Sequence, residues 1–461
     1  MGYIKWRYVV STSYHSDLQT LDAMEHNQPF DAETATLDVS NTAAPPDEKQ
    51  TPAYSSPQIP DGGVTAWATV AGAWLVLFCT FGYVNAFGVY QDYYTRIFMT
   101  NKSSSDIAWI GSTQICLQFL LGTVSGKLFD EGYFHALIGC GSLLYVFCLF
   151  MLSLAKERQF YQIFLPQAIG MGTALGLMFL PAVSVISHHF SKRRALAVGI
   201  VTSGSSCGGI VFPIMLNKMF ERHGFAWGVR STAFLVLGLL TIANLLMRTR
   251  LPPRSQRPPT PAPDFKAIMT DSTYLATTVG SFFVMMGLFI PIFYIQLFSV
   301  EHGIDETLAF YSVAILNAAS ILGRTIPNFI ADKIGPFNLL IPCSAITGAL
   351  IFAMFGVKSP AALIVFSILY GFFSGAYVSL TIPVFISLAK AFYEIGIRMG
   401  LAFGVISFAG LTGTPIAGAL LTRELTWWRP ILFAGIVVIC GCVCLSIARN
   451  SQARAKGTSK V

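Results

Sequence analysis

Charge is scarce in this chain. Asp, Glu, Lys and Arg make up 11% of its 461 residues, where a soluble domain carries about 25%. A solvated surface needs charge, so the shortage excludes an ordinary globular protein, however large its core. A bilayer removes that need, and 54% of the residues are hydrophobic. The net charge of +7 does not point to nucleic acid, because the basic residues cluster at the ends of apolar runs. No nucleotide-binding P-loop and no zinc-ligand spacing is present, which argues against an ATP-driven pump. A disulfide framework is also missing. The nine cysteines lie almost entirely inside apolar runs and read as small buried residues. Cys440-x-Cys442-x-Cys444 does not suggest a metal site, since only Cys440 and Cys444 share a helix face and no His cluster joins them. The chain is expected to be no enzyme and to need no cofactor or metal.

What the sequence does contain is twelve apolar runs, each near the 20 residues a helix needs to cross a bilayer. They fall near 66–90, 107–129, 133–154, 160–187, 195–219 and 229–248, then near 273–298, 307–330, 336–357, 360–388, 397–421 and 428–448. The expected fold is an all-α integral membrane protein of twelve transmembrane helices in two six-helix bundles. The first bundle is placed at 61–249 and the second at 273–449. Between them a basic, Pro-rich linker, 250–272, cannot be regular helix throughout. Residues 1–60 are polar and acidic and read as a disordered cytosolic tail; they lack the apolar core of a signal peptide. Residues 450–461 read as a short cytosolic tail. Most Lys and Arg fall on the side of the two termini, which places both termini in the cytosol. Asn101-Lys102-Ser103 then lies in the first outer loop as a glycosylation sequon.

A faint repeat relates the halves. Gly172-x3-Gly176 with Pro181 in span 4 is matched by Gly371-x3-Gly375 with Pro383 in span 10. Arg194, Gly199 and Pro213 in span 5 are matched by Arg398, Gly404 and Pro415 in span 11. Paired halves with Gly- and Pro-interrupted helices suit alternating access around a site at the membrane midplane.

Arg324 is the leading functional candidate. A charge at the centre of a span costs roughly 2.5–3.5 kcal/mol even on the lenient insertion scale. Arginine keeps its proton, so it must face a cavity, a partner or an anion, which its guanidinium binds through two parallel hydrogen bonds. The alternative is snorkelling towards the cytosolic surface or pairing with a backbone carbonyl. The spans hold essentially no Asp or Glu away from their ends. A proton relay would therefore need an edge acid or the substrate's own carboxylate, and a coupled proton is left open as a partner. Asn85 and Asn317 are the best polar companions, since Asn317 lies two turns from Arg324 on one face. Tyr370, Tyr377, Gln114 and Gln118 are weaker candidates. For each of these, interhelical glue is the competing reading. Lys192-Arg193-Arg194 reads as a topology anchor and inner-gate element. His188-His189 reads as an interfacial helix end.

Two stretches carry a family resemblance. Span 1 opens with Asp61-Gly62-Gly63 and then Trp67. Span 5 opens with Phe190-Ser191-Lys192-Arg193-Arg194-Ala195-Leu196-Ala197-Val198-Gly199. With Gly323-Arg324 and Asp332-Lys333-Ile334-Gly335 at the end of span 8, the chain resembles the major facilitator superfamily, in the fungal branch of the monocarboxylate porter family. The resemblance implies a two-bundle fold, rocker-switch alternating access, and a span-8 arginine that meets the substrate carboxylate. The proton-coupled members carry a lysine where this chain has Asn85, and an aspartate where it has Ser320. The machinery for lactate or pyruvate symport is thus incomplete. Fungal members that are similar in this include vitamin importers and exporters of secondary metabolites.

The expected function is secondary transport of a small organic solute, a carboxylate-bearing metabolite, with efflux of a secondary metabolite favoured. Import of a monocarboxylate or vitamin is the alternative, and a non-transporting nutrient receptor a more distant one. The expected partners are that solute and the lipid bilayer. The plasma membrane is the expected location, with the vacuolar membrane as the alternative.

Overall fold

The computed structural model describes residues 61–250, 264–390, 394–421 and 426–461. The expected N-terminal tail and most of the linker lie outside the described residues. All regular structure among the described residues is helical. Eleven helices are long and apolar enough to cross a membrane. One of them, Arg194–Leu246, has 53 residues, which at 1.5 Å per residue is about 80 Å and far exceeds a hydrocarbon core of about 30 Å. Gly224 breaks it with φ 74° and ψ 175°, a conformation essentially reserved for glycine. Its two arms are separate crossings, so the twelve expected from the sequence are present. We number them α1 (Val64–Phe98), α2 (Asp106–Asp130), α3 (Phe134–Leu152), α4 (Phe160–His188), α5 (194–223) and α6 (225–246). The second bundle holds α7 (Ser272–Glu301), α8 (Glu306–Ile334), α9 (Pro336–Gly356), α10 (Pro360–Leu388), α11 (Ile395–Leu421) and α12 (Trp428–Lys456).

Short polar residues start these helices. Ser103 and Asp106 form a capping box at α2. Asp271, Asp305 and Ser359 each accept a first-turn N–H at α7, α8 and α10, satisfying donors that the helix itself leaves orphaned. Lipid gives helices no hydrophobic reason to associate, so close backbone approach must supply the contact. The two Gly-x3-Gly pairs do this in matching places. A Cβ on Gly172 would lie 3.2 Å from the Cα of Gln114 on α2, and one on Gly371 would lie 3.0 Å from the Cα of Leu316 on α8. The first bundle therefore packs α4 on α2 as the second packs α10 on α8.

Two crossings are irregular. α1 leaves helical geometry at Thr80 (φ −98°, ψ −82°), where the hydroxyl donates back to the Val76 carbonyl at 2.6 Å. α4 carries a π-helical stretch, Phe164–Met171, that contains Pro166, which has no N–H to give. α12 runs to Lys456, further than the 448 expected, and ends at a left-handed Gly457 (φ 62°, ψ 22°), the usual glycine stop. The last residues then return to the start of α9. Val461 O accepts from Phe337 N at 3.1 Å, and Ser459 O from Asn338 Nδ2 at 2.8 Å.

Candidate functional site

Two seams join the bundles, α5 against α8 and α2 against α11, and each is fastened at the end nearest the N-terminus by the same device. Asp332, near the end of α8, accepts from Ala195 N at 2.9 Å and Leu196 N at 3.0 Å. Asp130, the last residue of α2, accepts from Gly396 N at 3.1 Å and Ile397 N at 2.9 Å. Each carboxylate thus sits on the exposed N–H groups and positive dipole end of a helix in the other bundle. Glycine brings the helices close enough. A Cβ on Gly199 would lie 2.8 Å from Asn328 Cβ across the first seam, and one on Gly400 would lie 2.8 Å from Thr123 Cα across the second.

The two motifs that carried the resemblance meet beside the first seam. Asp61 accepts from Ser191 N and Lys192 N, both at 2.6 Å. Burial opposes its ionisation, but those N–H groups, with that of Arg193 and the Lys192 charge, outweigh it and hold the carboxyl below its ordinary value. Gly62 and Gly63 turn the chain at φ 154° and 94°, and Trp67 meets Phe190 edge-on at 5.2 Å. Lys192 and Arg193 are exposed, while Arg194 turns back to the Phe190 carbonyl at 3.2 Å. Gly335, at φ 101°, makes the turn from α8 into α9.

Further into the bundles, beyond the two aspartates, lies a small cavity. Arg324, Asn317 and Ser320 line it from α8, Asn85 and Phe81 from α1, and Phe289 from α7. The room for the centre of a water molecule is about 20 Å³, enough for a water and far short of a metabolite. Arg324 is buried, with Nε donating to Ser320 Oγ at 3.1 Å and Nη1 to the Thr202 carbonyl of α5 at 3.3 Å. Ser320 Oγ in turn accepts from Ser206 of α5 at 3.1 Å. Among the described residues no carboxylate forms an ion pair with Arg324. Its depth also differs from the sequence expectation. α8 continues to Ile334, ten residues beyond Arg324 or about 15 Å, which is too far for the side chain to reach the helix end. Backbone pairing, the other alternative raised from the sequence, is present at Thr202 alongside the serine contact.

The other sequence candidates divide. Asn85 donates to Ser205 O at 3.5 Å and Asn317 to Val313 O at 2.9 Å, and both converge on Gly209. Tyr370 and Tyr377 are buried in the second bundle and do not line the cavity. Tyr370 instead donates to the Leu288 carbonyl at 2.7 Å, tying α10 to α7. Asn101 is exposed in the α1–α2 turn, its amide 3.5 Å from Arg158 O. Gly204-x-Ser206-x-Gly208 has the spacing of a hydrolase nucleophile elbow, but that motif needs a strand-to-helix turn. Here it lies inside α5, and its serine is spent on Ser320.

A layer of phenylalanine rings closes the space between the bundles. Phe81 faces Phe289 at 6.5 Å, and Phe119 of α2 stacks on Phe403 of α11 at 5.5 Å. Two features go beyond the sequence expectations. Arg398, expected only as the start of span 11, is 1% exposed and pairs with both Asp271 and Glu394 at 3.1 Å over the Tyr274 ring. The Glu394-x3-Arg398 spacing is the signal that could have found it. His189 sits between Arg250 Nε, which donates to its Nδ1 at 3.2 Å, and the Arg248 carbonyl, 2.8 Å from Nε2. That fixes a neutral ring with the proton on Nε2.

The sequence from 72 to 389 matches the model of the Major Facilitator Superfamily. The chain belongs to that superfamily. It is 45% identical over 392 residues to the aspyridones efflux protein apdF of Emericella nidulans, covering 84% of this chain and 78% of that one. It is 37% identical to the agnestins efflux protein AgnL12 of Paecilomyces divaricatus, covering 95% and 98%. Among solved structures it resembles the superfamily transporter FucP in its outward conformation, with a TM-score of 0.63 over 83% of this chain and 98% of that one at 16% identity. The last likeness speaks for the fold alone. The superfamily assignment agrees with the helix count and the two matched seams.

Proposed function

We propose that this carrier exports an acidic secondary metabolite by alternating access, with Arg324 as the partner of the anion. The observation that carries the reading is a guanidinium buried at the seam of two bundles and bonded to neutral oxygens. A buried charge without a counter-charge is incomplete, and an anionic substrate completes it. On release, Ser320 and Thr202 take the guanidinium back, so the empty site needs no counter-ion to return. The names of the related efflux proteins support the direction.

The cycle follows from the gate. Each aspartate at a helix start is worth about 0.5–2 kcal/mol, so opening the N-terminal side breaks a few kcal/mol of contact, within reach of thermal motion. That side faces the cytosol in this reading, and the membrane is the plasma membrane. The anion enters between α5 and α8, meets Arg324, and leaves on the far side once both carboxylates have re-engaged. Among the described residues no carboxylate lines the cavity, so any coupled proton travels on the substrate or on the gate aspartates.

The test is metabolite profiling of cells and medium with the gene deleted and restored. Export predicts an acidic metabolite that accumulates inside the deletion strain and falls in its medium. A solute left unconsumed in the medium of the deletion strain would show uptake instead.

A further inference from the structure

Gln118 sits at the middle of α2 with 0% exposure, and neither its Oε1 nor its Nε2 has a hydrogen-bond partner among the described residues. One turn away, Gln114 is 2% exposed and its Nε2 is likewise unpaired. Buried amides are expected to be bonded, and an unbonded one at the membrane centre calls for a reason. The repeat supplies one. Gly172 of α4 contacts Gln114 where Gly371 of α10 contacts Leu316, and Gly176 contacts the Gln118 carbonyl where Gly375 contacts Ser320. Gln114 and Gln118 are therefore the counterparts in the first bundle of Leu316 and Ser320, and both of those line the central cavity. Phe81 links the two places. It lines the cavity, and its ring lies 6.2 Å from Phe119, the neighbour of Gln118.

We propose that Gln118, supported by Gln114, is a second substrate anchor in the first bundle. It takes a neutral group that presents an acceptor beside a donor, as a lactam does. A primary amide offers one acceptor and two donors, so it pairs with such a group through two bonds, and with a carboxylate less completely. The substrate class narrows to molecules with an acidic end for Arg324 and a lactam-like edge for Gln118, held across the seam. This rests on the anion reading of Arg324 and deepens it.

The test uses the purified full-length carrier and two matched probes, naphthoate and an oxo-dihydroquinoline carboxylate. Both are bicyclic aromatic carboxylates, and the second carries a lactam edge. Wild type is expected to bind the lactam probe about fivefold more tightly or better, the worth of roughly one net hydrogen bond. Gln118→Leu should erase that preference and leave naphthoate binding unchanged. Without ligand, Gln118→Leu and Gln118→Met should melt no lower than wild type, because no bond is lost. A clear fall in melting temperature in both variants, or a lactam preference that survives Gln118→Leu, would overturn the proposal. So would equal binding of the two probes by wild type, which leaves the anion reading standing. Binding of neither probe, or equal binding by Arg324→Gln, would instead remove the anion reading.

Discussion

α2 and α8 occupy equivalent places in the two bundles and end alike. Each carries an aspartate that accepts two backbone N–H bonds from the first turn of a helix across the seam, Asp130 from α11 and Asp332 from α5. In their middles they part company. Eight residues before the aspartate, α8 has Arg324, bonded to Ser320 and Thr202, while α2 has Gly122, against the backbone of Gly400. One turn earlier, α8 has Ser320 and α2 has Gln118. The repeat keeps the capping aspartates symmetric and lets the groups in the helix middles diverge. In the proposed cycle a gate releases and re-forms equally at two seams, whereas an asymmetric solute needs a different group on each wall.

Among changes to the paired seams, the largest effect should come from breaking the close approach at either one. Gly199→Leu and Gly126→Leu each place a side chain where backbone now lies. Overpacking of about 1–3 kcal/mol should cut transport roughly five- to a hundredfold. Alkylation of a cysteine introduced on the N-terminal side of α5 should rise in both variants. An effect at one seam only would break the symmetry.

Asp130→Asn and Asp332→Asn remove one charged cap each. Both should shift the carrier towards opening on the N-terminal side by about 1 kcal/mol, roughly fivefold, and the double variant should show nearly the sum, because the two aspartates cap different helices. The same alkylation measurement checks this.

Tyr370→Phe leaves the seams intact. It loses one bond to Leu288 O and should lower stability by about 1 kcal/mol without altering substrate affinity, whereas Asn85→Ala, on the cavity wall, should alter affinity. Thermal melting and a transport KM separate the two.

The smallest effect belongs to His189. Burial, aided by the Arg250 charge, pulls its pKa below 6.5 despite the Arg248 carbonyl. Its contribution to stability is therefore whole above pH 6.5 and drains as the pH falls through the lowered folded value. Melting should drop as the pH falls below about 6.5, and His189→Gln should flatten that slope.

Much of the molecule is legible in its sequence because lipid leaves few options. A lone arginine among apolar residues singles out Arg324, and twelve runs of helix length mark the crossings. Chain separation hides the rest. Asp130 reads as an edge acid, since nothing local shows that its partners, Gly396 and Ile397, lie 266 and 267 positions away. Tyr370 and Tyr377 have the residue type of a binding site, but their place is set by which face of α10 turns to α7, and an apolar run all around does not reveal that face. Gln118 reads as a weaker cavity candidate with interhelical glue as the competing reading; the contacts of Gly176 and Gly375 are what match it to Ser320 on the cavity wall of the other bundle.

With Arg324 proposed as the anion's partner, the most direct measurement is export from the deletion strain restored with Arg324→Ala. The variant should reach the membrane at wild-type level while the acidic metabolite stays inside the cell, as in the deletion. Restoration of that metabolite to the medium at the wild-type rate would contradict the role of Arg324.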